Sequence, residues 1–186
     1  MLPDRATDAS ALVHVPPRRA AEGAVFEPSE RGTLRVARRL ATAPRAVAAW
    51  ADDVYLLMPA APDRPARVLT LTALPAPIGD FWSYEPRTRL RPLDPFPDGF
   101  VAQGIVGARD GPAVLGERSG RPALLRYTQG AWEQLAIPTL SGAQTLRLLP
   151  DAGGQLRLLS IPGAGAAALW TRAGSGWLSV DLAPGI

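Results

Sequence analysis

Residues 130–138 read GAWEQLAIP, and residues 176–184 read GWLSVDLAP. Each stretch opens on a glycine turn, places a tryptophan, and ends on a proline. The apolar residues between fall at matching offsets, Leu135 and Ile137 after Trp132, Val180 and Leu182 after Trp177. In the second stretch Leu178, Val180 and Leu182 alternate with Trp177, Ser179 and Asp181. That is the period of two expected of a half-buried strand.

Upstream of each anchor the segments follow the same order. The stretch 100–138 divides into FVAQGIVGARDG, PAVLGER, RPALLRYTQG and AWEQLAIP. The stretch 145–184 divides into TLRLLPDAGG, QLRLLSIPG, GAAALWTRAGS and GWLSVDLAP. Both give four short strands parted by turn chemistry: Asp110-Gly111 against the DAGG of 151–154, then Ser119-Gly120 against Pro162-Gly163. Four strands in roughly 40–45 residues is the size of a propeller blade. A looser copy lies earlier, with AVAAWADD (46–53), VYLLMP (54–59), RVLTLTALP (67–75) and a fourth strand within SYEPRTRLRPLDP. Before it, ALVHVPP, GAVFEPSE and TLRVARRLATAP supply three strands of a first unit. Pro44, Pro92, Pro138 and Pro184 mark the unit ends, so a single domain over 1–186 divides at about 10–44, 45–95, 96–138 and 139–184.

Composition agrees with many short strands. The 20 prolines and 18 glycines are scattered, which indicates frequent turns and no single linker. Small residues in AVAAWA and VAQGIVGA suit inner strands crowded round an axis. The bulky VYLLM, VLTL and LRLL suit middle strands that pack one unit on the next.

These segments resemble the β-propeller superfamily, nearer to kelch-like or sialidase-like blades than to WD-repeat blades. The resemblance spans roughly residues 10–184. The paired glycines of kelch repeats, the Gly-His and Trp-Asp pairs of WD repeats and the Ser-x-Asp-x-Gly box of sialidases are missing. It therefore implies an all-β propeller of about four blades of four antiparallel strands, with a β-sandwich as the architectural alternative. The first unit lacks an inner strand. A patch by residues 1–10 or the terminal APGI, a second copy, or a longer propeller would each close the ring.

Several function classes are disfavoured. All 20 basic residues are arginine and the net charge is only +3, which weighs against nucleic acid as a partner. The arginine excess with no lysine or asparagine points to a GC-rich, bacterial genome. The absence of cysteine removes disulfides and thiolate metal sites. The N-terminus has no apolar signal region, and the longest apolar stretch, 158–170, is too short to span a bilayer, so a soluble cytoplasmic chain is expected.

No catalytic, cofactor-binding or metal-ligating set emerges. His14 is the single histidine and sits between valines on a strand. Asp52-Asp53, Asp110 and Asp151 fall where aspartate caps turns by accepting backbone N–H groups. Asp94 and Asp98 lie in the proline-stiffened run LDPFPDGF. Arg31, Arg35, Arg38, Arg39 and Arg45 form the densest basic stretch, read as a strand edge in preference to a basic amphipathic helix. Arg87, Arg89 and Arg91 alternate on one strand face and suit carboxylates or phosphates. Those three, with Trp82 and Tyr84, form the candidate binding set. The expectation is a non-catalytic interaction scaffold without cofactor, holding a protein partner or itself. The alternative is a carbohydrate-binding or carbohydrate-active propeller, in which Trp50, Trp82, Tyr84 and Trp170 stack on sugar rings. Tryptophans packed between sheets favour the first, and tryptophans gathered in one funnel beside Asp and Arg favour the second.

Overall fold

The computed structural model describes residues 12–14, 23–28, 34–40, 42–51, 53–73, 88–140 and 144–182. Among these residues the chain is all-β, with no helix. The first sheet comprises β1 (Leu12–His14), β2 (Gly23–Pro28) and β3 (Leu34–Leu40). The second comprises β4 (Ala46–Trp50), β5 (Asp53–Met58), β6 (Arg67–Ala73) and β7 (Thr88–Pro92). The third comprises β8 (Phe100–Val106), β9 (Ala113–Arg118), β10 (Arg121–Thr128) and β11 (Ala131–Leu135). The fourth comprises β12 (Gln144–Leu149), β13 (Arg157–Pro162), β14 (Ala168–Ala173) and β15 (Gly176–Asp181). Every sheet is an antiparallel meander in chain order.

Turn chemistry sets the third sheet's register. Two-residue connections join β9 to β10 and β10 to β11, and all four turn residues have positive φ: Ser119 and Gly120, then Gln129 and Gly130. That backbone matches the right-handed strand twist, and glycine takes it without steric cost. The run 34–40 is a strand and not the amphipathic helix weighed above, and a bulge against Val25 and Phe26 shifts its register.

Alternation then builds three apolar layers. Val54, Leu56, Met58, Leu69 and Leu71 leave one face of the second sheet and meet Leu40 of the first. Tyr55, Leu57 and Val68 leave its other face and meet Phe100, Ile105, Val114 and Leu125 of the third sheet. Leu115, Leu124 and Leu135 leave the far face of the third sheet and meet Leu158, Trp170 and Trp177 of the fourth. Leu56, Leu124 and Leu158 are fully buried, each contributing about 1.5–3 kcal/mol of transfer free energy.

The sheets approach one another most closely along their first strands, β4 against β8 and β8 against β12. Trp50, at the end of β4, reaches still further. A Cβ on Gly154, in the β12–β13 turn of the fourth sheet, would sit 2.4 Å from its ring. Sheets stacked flat are about 10 Å apart, so the second and fourth would be separated by about 20 Å. The direct contact therefore means that the second, third and fourth sheets converge at this end.

Candidate functional site

Of the candidate binding set, Trp82, Tyr84 and Arg87 lie outside the described residues. Arg89 and Arg91 fall in β7, the outer edge strand of the second sheet, opposite Thr72 and Thr70. Arg91 is exposed there. An edge-strand arginine facing water discourages sheet-to-sheet aggregation.

Arg45, from the basic stretch, joins two sheets. Its backbone N–H donates to Leu57 O at 2.8 Å, and its guanidinium donates to Ala102 O at 3.0 Å, tying the second sheet to β8. Arg35, Arg38 and Arg39 lie in β3, and Arg31 lies outside the described residues. His14 lies in β1.

The aspartates divide among three structural tasks. Asp151 Oδ2 accepts from the backbone N–H of Gly153 at 2.9 Å and of Gln155 at 3.0 Å, and its Oδ1 pairs with Arg157 at 2.7 Å. That is the turn-capping role expected of it. Asp110 instead reaches Arg126 at 3.2 Å, and Arg126 also holds Glu133 at 3.0 Å. Asp53 stands at the start of β5, where Oδ1 accepts from Thr72 Oγ1 at 2.5 Å and Oδ2 accepts from Tyr55 at 3.4 Å. Burial, reinforced by the neighbouring Asp53 charge, pushes the Tyr55 phenol up to about 12.

The tryptophans have roles that composition did not reveal. Trp132 Nε1 donates to Asp94 O at 2.8 Å, in the loop between β7 and β8. Trp177 Nε1 donates to Ala136 O, also at 2.8 Å, in the loop between β11 and β12. Each thus latches the fourth strand of its sheet to the segment entering that sheet's first strand. Around Trp132 the run 93–100 folds into a cluster. Phe96 lies 4.8 Å from the Trp132 ring and 5.1 Å from Phe100, and Tyr127 meets Trp132 edge-on at 5.1 Å. Tyr127 also donates to Asp94 Oδ2 at 3.2 Å, and burial followed by the Asp94 charge raises its phenol pKa. Trp170 donates to Ser160 Oγ at 3.0 Å within the fourth sheet. The run LDPFPDGF is therefore the entering segment on which the third sheet latches, with Asp94 serving it through both carbonyl and carboxylate.

Two open depressions accompany these features. One of about 490 Å³ is lined by Arg126, Thr128, Trp132 and Glu133 at the β10–β11 hairpin. Another of about 230 Å³ lies between the third and fourth sheets, beside Gln103, Glu117 and Thr145. Trp132 is the one tryptophan among these linings. Among the described residues no helix is long and apolar enough to cross a membrane.

The surface that stands out is one the sequence reading did not single out. Leu178 and Val180 of β15 are 66% and 64% exposed, and Ile161 of β13, two strands away, is exposed as well. All three lie on the face of the fourth sheet opposite Leu158 and Trp170. The alternation of Leu178 and Val180 predicts a half-buried strand, and it is the Trp177 row that faces the third sheet.

Comparison of the chain with protein-family models, with curated proteins and with solved structures gives no match.

Proposed function

We propose that the chain is a β-propeller-like interaction scaffold whose sheets act as blades and whose surfaces hold a protein partner or another copy of the chain, without catalysis. The observation that carries this reading is the use made of the tryptophans. Trp132 and Trp177 are committed to joining each sheet to its entering loop, and Trp50 fills the point where three sheets converge. A sugar site would need such rings side by side, faces open, beside groups that bond hydroxyls. The closest approach of the sheets along their first strands favours blades round an axis over the two facing layers of a sandwich.

The test pairs turnover with binding. The purified chain is assayed on glycoside, ester and phosphate substrates, and no turnover is expected on any of them. Turnover abolished by replacing one polar side chain would overturn the scaffold.

The carbohydrate reading keeps one specific foothold, the depression where Trp132 stands with Arg126 and Glu133. It predicts glycan binding that Glu133→Ala weakens without unfolding the chain. A glycan panel without binding removes it.

A further inference from the structure

Strand β8 carries a bulge. Ala102 faces Gly116 and Gly104 faces Leu115, so Gln103 is an extra residue without a partner on β9. A bulge re-aims the side chain it inserts. Here Gln103 Nε2 reaches Glu117 and donates to its Oε1 at 2.8 Å. The close approach of β8 needs Gly116, where any Cβ would collide with Val101 O. Leu115, Glu117 and Pro122 share the face of the third sheet that meets the fourth. With Gln103, and with Thr145 and Leu146 of β12, they line the depression of about 230 Å³ between the two sheets.

Among the described residues no arginine pairs with Glu117. Its cross-strand neighbours are Val101 and Pro122, and the adjacent Arg118 donates to Asp98 O and Gln134 Oε1. Glu133 shows the contrast on the same face, since Arg126 opposite holds it at 3.0 Å. The bond from Gln103 leaves Glu117 Oε2 and the Gln103 amide oxygen as acceptors side by side. Beneath them Leu115 is buried, and Leu146 and Pro122 supply apolar walls. Acceptors over an apolar trough select a cation on an aliphatic stem. Pockets for whole small molecules run to about 300–1,000 Å³, so this smaller one holds a single long side chain. A metal ion would need more ligands, and no cluster of three acidic or histidine side chains occurs among the described residues. Of the two basic side chains, guanidinium is planar, weakly hydrated and offers several donors to adjacent oxygens. Ammonium is a strongly hydrated point charge.

We infer that this pocket receives an arginine side chain of the protein partner, with its guanidinium on Glu117 and Gln103 and its stem along Leu115, Leu146 and Pro122. This rests on the scaffold reading and names the chemistry of the partner's contact.

Backbone-amide NMR of the isotope-labelled chain, titrated with Nα-acetyl-arginine methylamide, tests it. Saturable shifts are expected at Gln103, Gly116, Glu117 and Leu146, with a Kd on the order of 1 mM for a ligand of this size. The citrulline analogue keeps the shape and loses the charge, and should bind about fivefold more weakly. Glu117→Gln should weaken binding of the arginine compound by a similar factor. Asp63→Asn, which removes an equal charge from the exposed β5–β6 loop, should leave it unchanged. Both variants replace exposed side chains, so the remaining amide spectrum should keep its folded pattern. No shifts at these residues, or equal affinity for the citrulline analogue, overturns the proposal. So does an effect of Asp63→Asn as large as that of Glu117→Gln, which would mean attraction to net charge alone. A lysine analogue that binds as tightly as the arginine compound overturns the guanidinium assignment. In each of these cases the scaffold reading stands, because its own failure is turnover.

Discussion

Trp132 and Trp177 show how one residue type can organise a sheet by its polar edge. The ring is packed between layers, and the indole N–H is spent on a main-chain carbonyl of the entering loop. Trp177→Phe keeps most of the apolar surface and removes the short donor, leaving Ala136 O the longer bond from Arg172 at 3.5 Å. The expected cost is about 1 kcal/mol, read from the denaturant midpoint at unchanged slope. Trp132→Phe should behave alike, while Trp132→Ala also removes the ring that Phe96 and Tyr127 pack on and should cost about 3–5 kcal/mol. Tyr55 makes a pH prediction at the same scale. Its folded pKa, about 12, lies above the ordinary 10. Below pH 10 the phenol is neutral in folded and unfolded chains alike, so it adds no pH dependence. Between pH 10 and about 12 the unfolded chain loses this proton while the folded chain keeps it, so stability falls as pH rises through that window. Denaturant midpoints on either side of pH 10 should show that fall, and Tyr55→Phe should reduce it.

At the scale of elements, the turns between first and second strands are where the sheets gather. The β12–β13 turn is held by Asp151, which caps two N–H groups and pairs with Arg157. Asp151→Ala is expected to cost about 1–3 kcal/mol, the range for charge-assisted bonds whose donors lose their partner. Asp151→Asn retains an acceptor and should recover part of that loss. Gly154 in the same turn has φ +71°, and any Cβ there would collide with the Trp50 ring. Gly154→Ala therefore combines a strained backbone with overpacking and should cost about 1–3 kcal/mol by chemical denaturation. The substitution at Gly130, with φ +83° but open space round it, carries the backbone penalty alone and should be milder. Strand placement in this region was legible beforehand because alternation and turn residues agreed locally. FVAQGIVGARDG, PAVLGER, RPALLRYTQG and AWEQLAIP contain β8, β9, β10 and β11 in order. The latches were not legible, since their acceptors are main-chain carbonyls that any residue type supplies.

Across the whole molecule, the period of two identifies which residues share a face but not which face another layer will cover. Leu135 and Val180 read alike along the chain, and only the sheet that follows one of them separates their fates. A related ambiguity attends the arginines of the candidate binding set. Arg91 and Arg89 alternate as a binding face would, and the strand they belong to is a sheet edge, where the same pattern equally suits solubility. In the proposed scaffold the sheets radiate as blades from their first strands. Paired spin labels test it directly, because the chain has no cysteine to interfere. One pair spans the first strands of the second and fourth sheets, at Val47 and Arg147. The other spans their fourth strands, at Arg91 and Val180. Blades require a first-strand separation clearly shorter than the fourth-strand separation. Equal separations, both near the roughly 20 Å of two flat sheet spacings, would contradict that arrangement.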